Sequence, residues 1–137
     1  MDPVILADKL ESLRRCVGRI EERRVESAEA LEVDVDAQDI VTLNLTRAIQ
    51  LCVDSAAHVL ADTDQPTPRT MGEAFDLLAA EDVIPSDLAA RMRAAVGFRN
   101  IAVHAYQRID WGIVHRLTHD GLEDLRAFAG RLARLLP

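Results

Sequence analysis

Apolar residues recur along this chain at alternating spacings of three and four, the signature of helices that each bury one face. Asp2 before Pro3 marks a first helix start, an N-cap side chain followed by a residue suited to the first helical position. Leu6, Leu10, Leu13, Val17 and Ile20 form its seam, and the pattern predicts a helix running to about Ala30. An acidic stretch follows, in which Asp36 or Asp39 can cap a second helix through about Ala61, with Val41, Leu45, Ala48, Cys52 and Val59 inward. The two read as an antiparallel hairpin. Asp62 to Pro68 is a loop, because its two prolines and short polar residues cannot continue a helix. Thr70 with Glu73 makes a capping box, predicting a short third helix that carries Phe75, Leu78 and Ala79 into the core. Pro85 and Ser86 open a fourth helix, whose buried face is Leu88, Met92, Ala95, Val96 and Phe98. Asp110 can cap the last, with Val114, Leu117, Gly121, Leu125, Phe128, Leu132 and Leu135 in line. Gly121 inside that seam predicts a bend or a close helix contact.

The expectation is an all-α, up-and-down bundle of about five helices, with residues 1–137 forming one domain. Composition agrees: 49% of residues are hydrophobic and only 4% aromatic, with few Gly or Pro to interrupt helices. The start has no basic segment leading into an apolar stretch, and no apolar run reaches about 18 residues, so the chain is expected in the cytoplasm, away from membranes. Cys16 and Cys52 fall in apolar helical patterns without a C-x-x-C pair, which reads as two buried thiols.

A net charge of −7 argues against a general polyanion or DNA binder, since nonspecific affinity comes from clustered cations. The distribution changes that picture locally. From Leu88 to His119 there are five arginines, Arg91, Arg93, Arg99, Arg108 and Arg116, against one acid, Asp110. Inside this segment lies Arg99-Asn100-Ile101-Ala102-Val103-His104-Ala105-Tyr106, an R-x4-H-x-Y motif at the end of the fourth predicted helix. Arginine grips phosphate oxygens, histidine moves protons near neutral pH, and a tyrosine hydroxyl hydrogen-bonds or accepts a group. Together they suggest phosphodiester chemistry without a metal. On a straight helix Arg99 and His104 would lie roughly 140° apart and His104 and Tyr106 roughly 160° apart. The groups can converge if the helix ends near Val103 to Tyr106, or if a second copy supplies the missing one across a symmetric interface. The structural alternative is Arg99 in a surface ion pair, His104 as a terminal cap and Tyr106 at the edge of the core.

The second helix adds Arg47, Gln50, Asp54 and His58, a polar stripe at spacings of three and four. It is either solvated or a supporting network, with Arg47 and Asp54 the candidates to stand beside the motif or line a dimer cleft. His115 and His119 share a helix face but lack a third ligand, so they read as surface residues and no metal site is assigned. Trp111 reads as a core anchor. No phosphate loop, H-E-x-x-H or nucleophile elbow is present, and no cofactor is expected.

With these residues in place the chain resembles the HepT-type toxins of the HEPN superfamily over nearly its full length. The resemblance lies in Arg47 to His58, the short helix containing Phe75, the Gly97-Phe98-Arg99 to Tyr106 core and the following Ile109-Asp110-Trp111. It implies a helical bundle that pairs into a homodimer, bringing two copies of the motif into one cleft. It implies a metal-independent endoribonuclease of a type VII-like toxin–antitoxin pair, partnered by a MntA-type nucleotidyltransferase antitoxin that transfers AMP to Tyr106 and silences the enzyme. Arg99 and His104 would be catalytic, with Asn100, Tyr106, Arg47 and Asp54 supporting them or positioning RNA. The competing readings are a non-catalytic substrate-binding or docking subunit of a nucleotidyltransferase, and a purely structural helical dimer.

Overall fold

A computed structural model describes all residues 1–137 as an all-helical chain without strands. Seven α-helices replace the expected five: α1 (Pro3–Arg23), α2 (Ala28–Glu32), α3 (Val35–Leu60), α4 (Met71–Ala80), α5 (Ser86–His104), α6 (Trp111–Leu117) and α7 (Asp120–Ala133). The long helices lie where the periodicity put them. Asp2 caps α1 by accepting from the Val4 amide at 2.8 Å, ahead of Pro3, and Thr70 Oγ1 accepts from Glu73 N at 3.1 Å at the start of α4.

Two expected helices are divided. α1 stops at Arg23, short of Ala30, because Ser27 starts a helix of its own: its hydroxyl accepts from the Ala30 amide at 3.1 Å. Two tertiary ties hold this corner. The Arg24 guanidinium donates to the Thr118 carbonyl at 3.1 Å, and the Gln38 amide donates to the carbonyls of Leu31 and Glu32. The last helix divides into α6 and α7 at Thr118 and His119. Thr118, buried, donates its hydroxyl to the His115 carbonyl at 2.7 Å, and a Cβ at Gly121 would come within 3.2 Å of the Leu117 side chain. The bend and the close contact expected at Gly121 are therefore one feature, a sharp corner closed by Leu117 against a residue with no side chain.

Antiparallel pairing of α1 and α3 is fixed at one end, where the Met1 ammonium meets Asp62 and the Asp2 amide donates to His58 Nε2 at 3.1 Å. α4 packs on α5 and α7 closes over α1. Thirty apolar residues form one buried cluster, centred on Phe75 of α4 and Phe128 of α7, whose rings meet edge to face with centroids 5.6 Å apart. Cys16 and Cys52 lie inside it as free thiols, as expected. Leu135 is exposed, while Leu10, Ala79, Ala95 and Leu117 are half-buried at the margins of the seams. No helix is long and apolar enough to cross a membrane.

Candidate active site at the end of α5

α5 ends inside the motif, so Arg99 and His104 stay on one continuous helix, roughly 140° apart around its axis, and only Tyr106 lies beyond its end. His104 is its last residue, Ala105 turns out of the helix with φ −149° and ψ 56°, and Tyr106 opens a single 3₁₀ turn, Tyr106–Arg108. The change of direction releases Tyr106 from the splay that a continuous helix would impose. His104 is exposed and takes part in no hydrogen bond or ion pair within the chain. Arg99 is half-buried, with Nη1 donating to Asn100 Oδ1 at 3.2 Å and a buried Nε that meets no partner.

The local positive charge resolves into two groups. Arg91 pairs with Asp87 and Asp124, and Arg93 reaches both Asp76 oxygens at 2.7 Å, so these two are neutralised within the fold. Arg99, Arg108 and Arg116 meet no carboxylate, and neither does Arg47. A guanidinium without a carboxylate keeps its full attraction for an incoming phosphate.

Tyr106 is tied across the molecule. Its hydroxyl donates to Asp39 Oδ1 of α3 at 3.1 Å, and its ring meets Trp111 edge-on with centroids 6.2 Å apart. Trp111, half-buried, packs against the core as expected and braces the tyrosine as well. Burial and then the Asp39 carboxylate push the phenol above its ordinary value, with the Thr42 hydroxyl pulling slightly the other way. Asp39, Thr42, Leu43, Thr46, Ala102, Val103 and Tyr106 surround a cavity of about 290 Å³. A larger one of about 560 Å³ opens on another face of α5, against Phe98, Ile101, Arg108 and Ile109, and contains none of Arg99, His104 or Tyr106.

The polar stripe on α3 does not act as a unit. Gln50 donates to Asp54 Oδ1 at 2.9 Å, His58 holds the start of α1, and Arg47 stands apart, lining a 450 Å³ cleft with Arg15, Arg19 and Asn44. The α3 residues beside Tyr106 are Asp39, Thr42, Leu43 and Thr46, about two to four turns before Asp54. Asp36 or Asp39 was expected as the helix cap; Asp34 fills that role, accepting from Ala37 N at 3.0 Å, and leaves Asp39 free for Tyr106. His115 and His119 are half-buried rather than fully exposed, their rings 4.4 Å apart and their nitrogens directed at the Glu26 and His115 carbonyls. No group of three or more His, Cys, Asp or Glu side chains is placed to hold a metal ion.

A helical bundle with R-x4-H-x-Y at the broken end of its fifth helix defines a domain of the HEPN class. The family described as ribonuclease HepT-like matches residues 13–132, and the chain belongs to it. The chain is 33% identical over 124 residues to the mRNA nuclease HepT of Shewanella oneidensis, covering 90% of this chain and 92% of that one. It superimposes on the tri-AMPylated Shewanella oneidensis HEPN toxin, solved in complex with its MNT antitoxin, with a TM-score of 0.88, 31% identity, and 98% and 99% of the two chains covered. A cytosolic protein of unknown function from Bacillus subtilis, YutE, shares the fold with a TM-score of 0.85 at 14% identity, over 98% of this chain and 90% of that one.

Proposed function

We propose that this chain is a metal-independent endoribonuclease toxin that acts as a homodimer and is silenced when a MntA-type nucleotidyltransferase adenylylates Tyr106. One observation carries the reading. An uncompensated guanidinium, a free exposed imidazole and a braced phenol occupy one end of α5, in a chain 33% identical to an mRNA nuclease.

The chemistry follows from the residue types. The 2′-hydroxyl of a ribonucleotide attacks the adjacent phosphorus, the bond to the 5′ oxygen breaks, and the products are a 2′,3′-cyclic phosphate and a 5′-hydroxyl. His104 takes the proton from the 2′-hydroxyl or returns one to the leaving oxygen. Arg99, turned toward Asn100 rather than a carboxylate, stabilises the additional negative charge on the phosphorane. DNA, lacking the 2′-hydroxyl, is not a substrate for this route. Asn100 and Tyr106 position the strand, and Arg47, apart from them in the cleft with Arg15 and Arg19, offers phosphate a separate contact from α3. Asp54, bonded to Gln50, supports the α3 surface. An AMP group on Tyr106 places a bulky anion where a phosphate of RNA must bind.

The test is total RNA incubated in EDTA with the unmodified wild type and with His104→Ala. Wild type is expected to release 2′,3′-cyclic phosphate ends. The variant is expected to lose about 10²-fold or more of the rate while keeping its helical circular dichroism. Full activity in His104→Ala would remove His104 from the mechanism. An unmodified wild type that does not cleave would favour a docking subunit.

A further inference from the structure

The contact between Tyr106 and Asp39 joins residues 67 positions apart, across the line where the end of α5 meets the first turns of α3. Asp39 is committed to nothing else. Asp34 caps the helix in its place, and no Arg, Lys or His pairs with it. Next to the pair stands Thr42, only 4% exposed, whose hydroxyl completes no hydrogen bond although it lines the same cavity. One turn on, Thr46 behaves as a helical threonine usually does, donating to the carbonyl four residues back at 2.8 Å.

The state of the phenol sets the chemical requirement. Burial and Asp39 hold it above its ordinary value, so at neutral pH it stands as a protonated phenol. A nucleophile in that state must give up its proton as it attacks, and the group hydrogen-bonded to it is placed to receive that proton.

Taking Tyr106 as the adenylylated residue, we infer that Asp39 is the general base of that modification, supplied by the modified chain itself. As Tyr106 Oη bonds to the α-phosphorus of a nucleoside triphosphate, the bond from that phosphorus to the β-phosphate oxygen breaks, pyrophosphate leaves, and the phenolic proton passes to Asp39 Oδ1. The buried Thr42 hydroxyl, beside the phenol in the same cavity, is the donor left facing the tyrosyl oxygen once its proton has gone. In the product the tyrosyl oxygen has no hydrogen to donate and carries a phosphodiester anion. Its bond to the carboxylate is then lost, and the adduct is repelled from Asp39.

Tyr106 is the sole tyrosine of the chain, so phenolate absorbance reports on it alone, and Tyr106→Phe assigns any gain in mass. The experiment uses the full chain, a MntA-type nucleotidyltransferase and magnesium ATP, comparing wild type with Asp39→Asn and Asp39→Glu. At saturating ATP, Asp39→Asn is expected to slow AMP attachment about 10²-fold, with the half-saturating ATP concentration unchanged and Asp39→Glu recovering much of the rate. In an alkaline titration without partner or ATP, Asp39→Asn is expected to ionise Tyr106 at lower pH than wild type. Attachment to Asp39→Asn at the wild-type rate would overturn the base assignment, and an unmoved titration would overturn the contact, both leaving the modification itself standing. A wild type that cleaves RNA yet gains no AMP, or gains it in Tyr106→Phe as well, would overturn the modification reading and this inference with it.

Discussion

His104 and Arg99 carry the candidate chemistry because the fold leaves them uncommitted, whereas Arg91 and Arg93, close by in sequence, are neutralised by Asp124, Asp87 and Asp76. Residue type alone cannot separate the two groups; what separates them is the carboxylate alongside each, Asp76 from α4 and Asp124 from α7, with Asp87 one turn earlier on α5 itself. The cysteines illustrate the opposite case, where an apolar helical pattern was sufficient. Cys52 is fully buried on α3 and burial pushes its thiol far above the ordinary range. Cys16 is raised by burial as well, but it borders the cleft lined by Arg47, which pulls it back. In a native thiol titration Cys16 is expected to react first and slowly, and Cys52 only when the protein is unfolded by guanidinium. A fast first equivalent mapping to Cys52 by mass spectrometry would contradict the buried position.

Among the elements, the short ones decide the site. α6 has seven residues, too few to persist alone, and is held by Asp110, which accepts from the Gly112 amide at 2.8 Å and from the Ile113 amide at 3.4 Å. Its first residue, Trp111, meets the ring of Tyr106. Asp110→Ala is expected to cost about 1 kcal/mol, lowering Tm by a few degrees, and to shift the emission of the sole tryptophan as its contact with Tyr106 loosens. Asp110→Asn, which still caps, is expected to stay close to wild type; equal loss in both variants would mean that charge, and not the cap, holds α6. The Asp110 cap was legible in the sequence. The cap of α3 was not, because Asp34, Asp36 and Asp39 all have the right side chain and only the packed chain assigns one of them to the amides.

At the scale of the molecule, apolar side chains remain exposed beside the motif. Leu43 of α3 and Val103 of α5 are about half exposed, and both border the cavity at Tyr106. A second copy related by a two-fold axis on this face would cover them and bring two R-x4-H-x-Y motifs together. Sedimentation is expected to give a species of about twice 15.2 kDa, and Leu43→Arg a 15.2 kDa species with unchanged helicity and strongly reduced cleavage. A Leu43→Arg protein that remains dimeric would place the axis elsewhere. Each chain carries a charge of −7, so association at this face has to overcome mutual repulsion and is expected to tighten as salt rises.

The sequence by itself determined the helical class, the faces of α1, α3, α4 and α5, the buried thiols and the motif from Arg99 to Tyr106, because each is written in local spacing that any helix must obey. Tertiary structure alone decided that the corner after α1 would be tied to the end of α6 and that Asp39 would meet Tyr106. Both outcomes rest on a partner distant in sequence: Arg24 on the Thr118 carbonyl, and a carboxylate on a phenol 67 residues away. Periodicity places a side chain on a face; only packing says which group waits across from it.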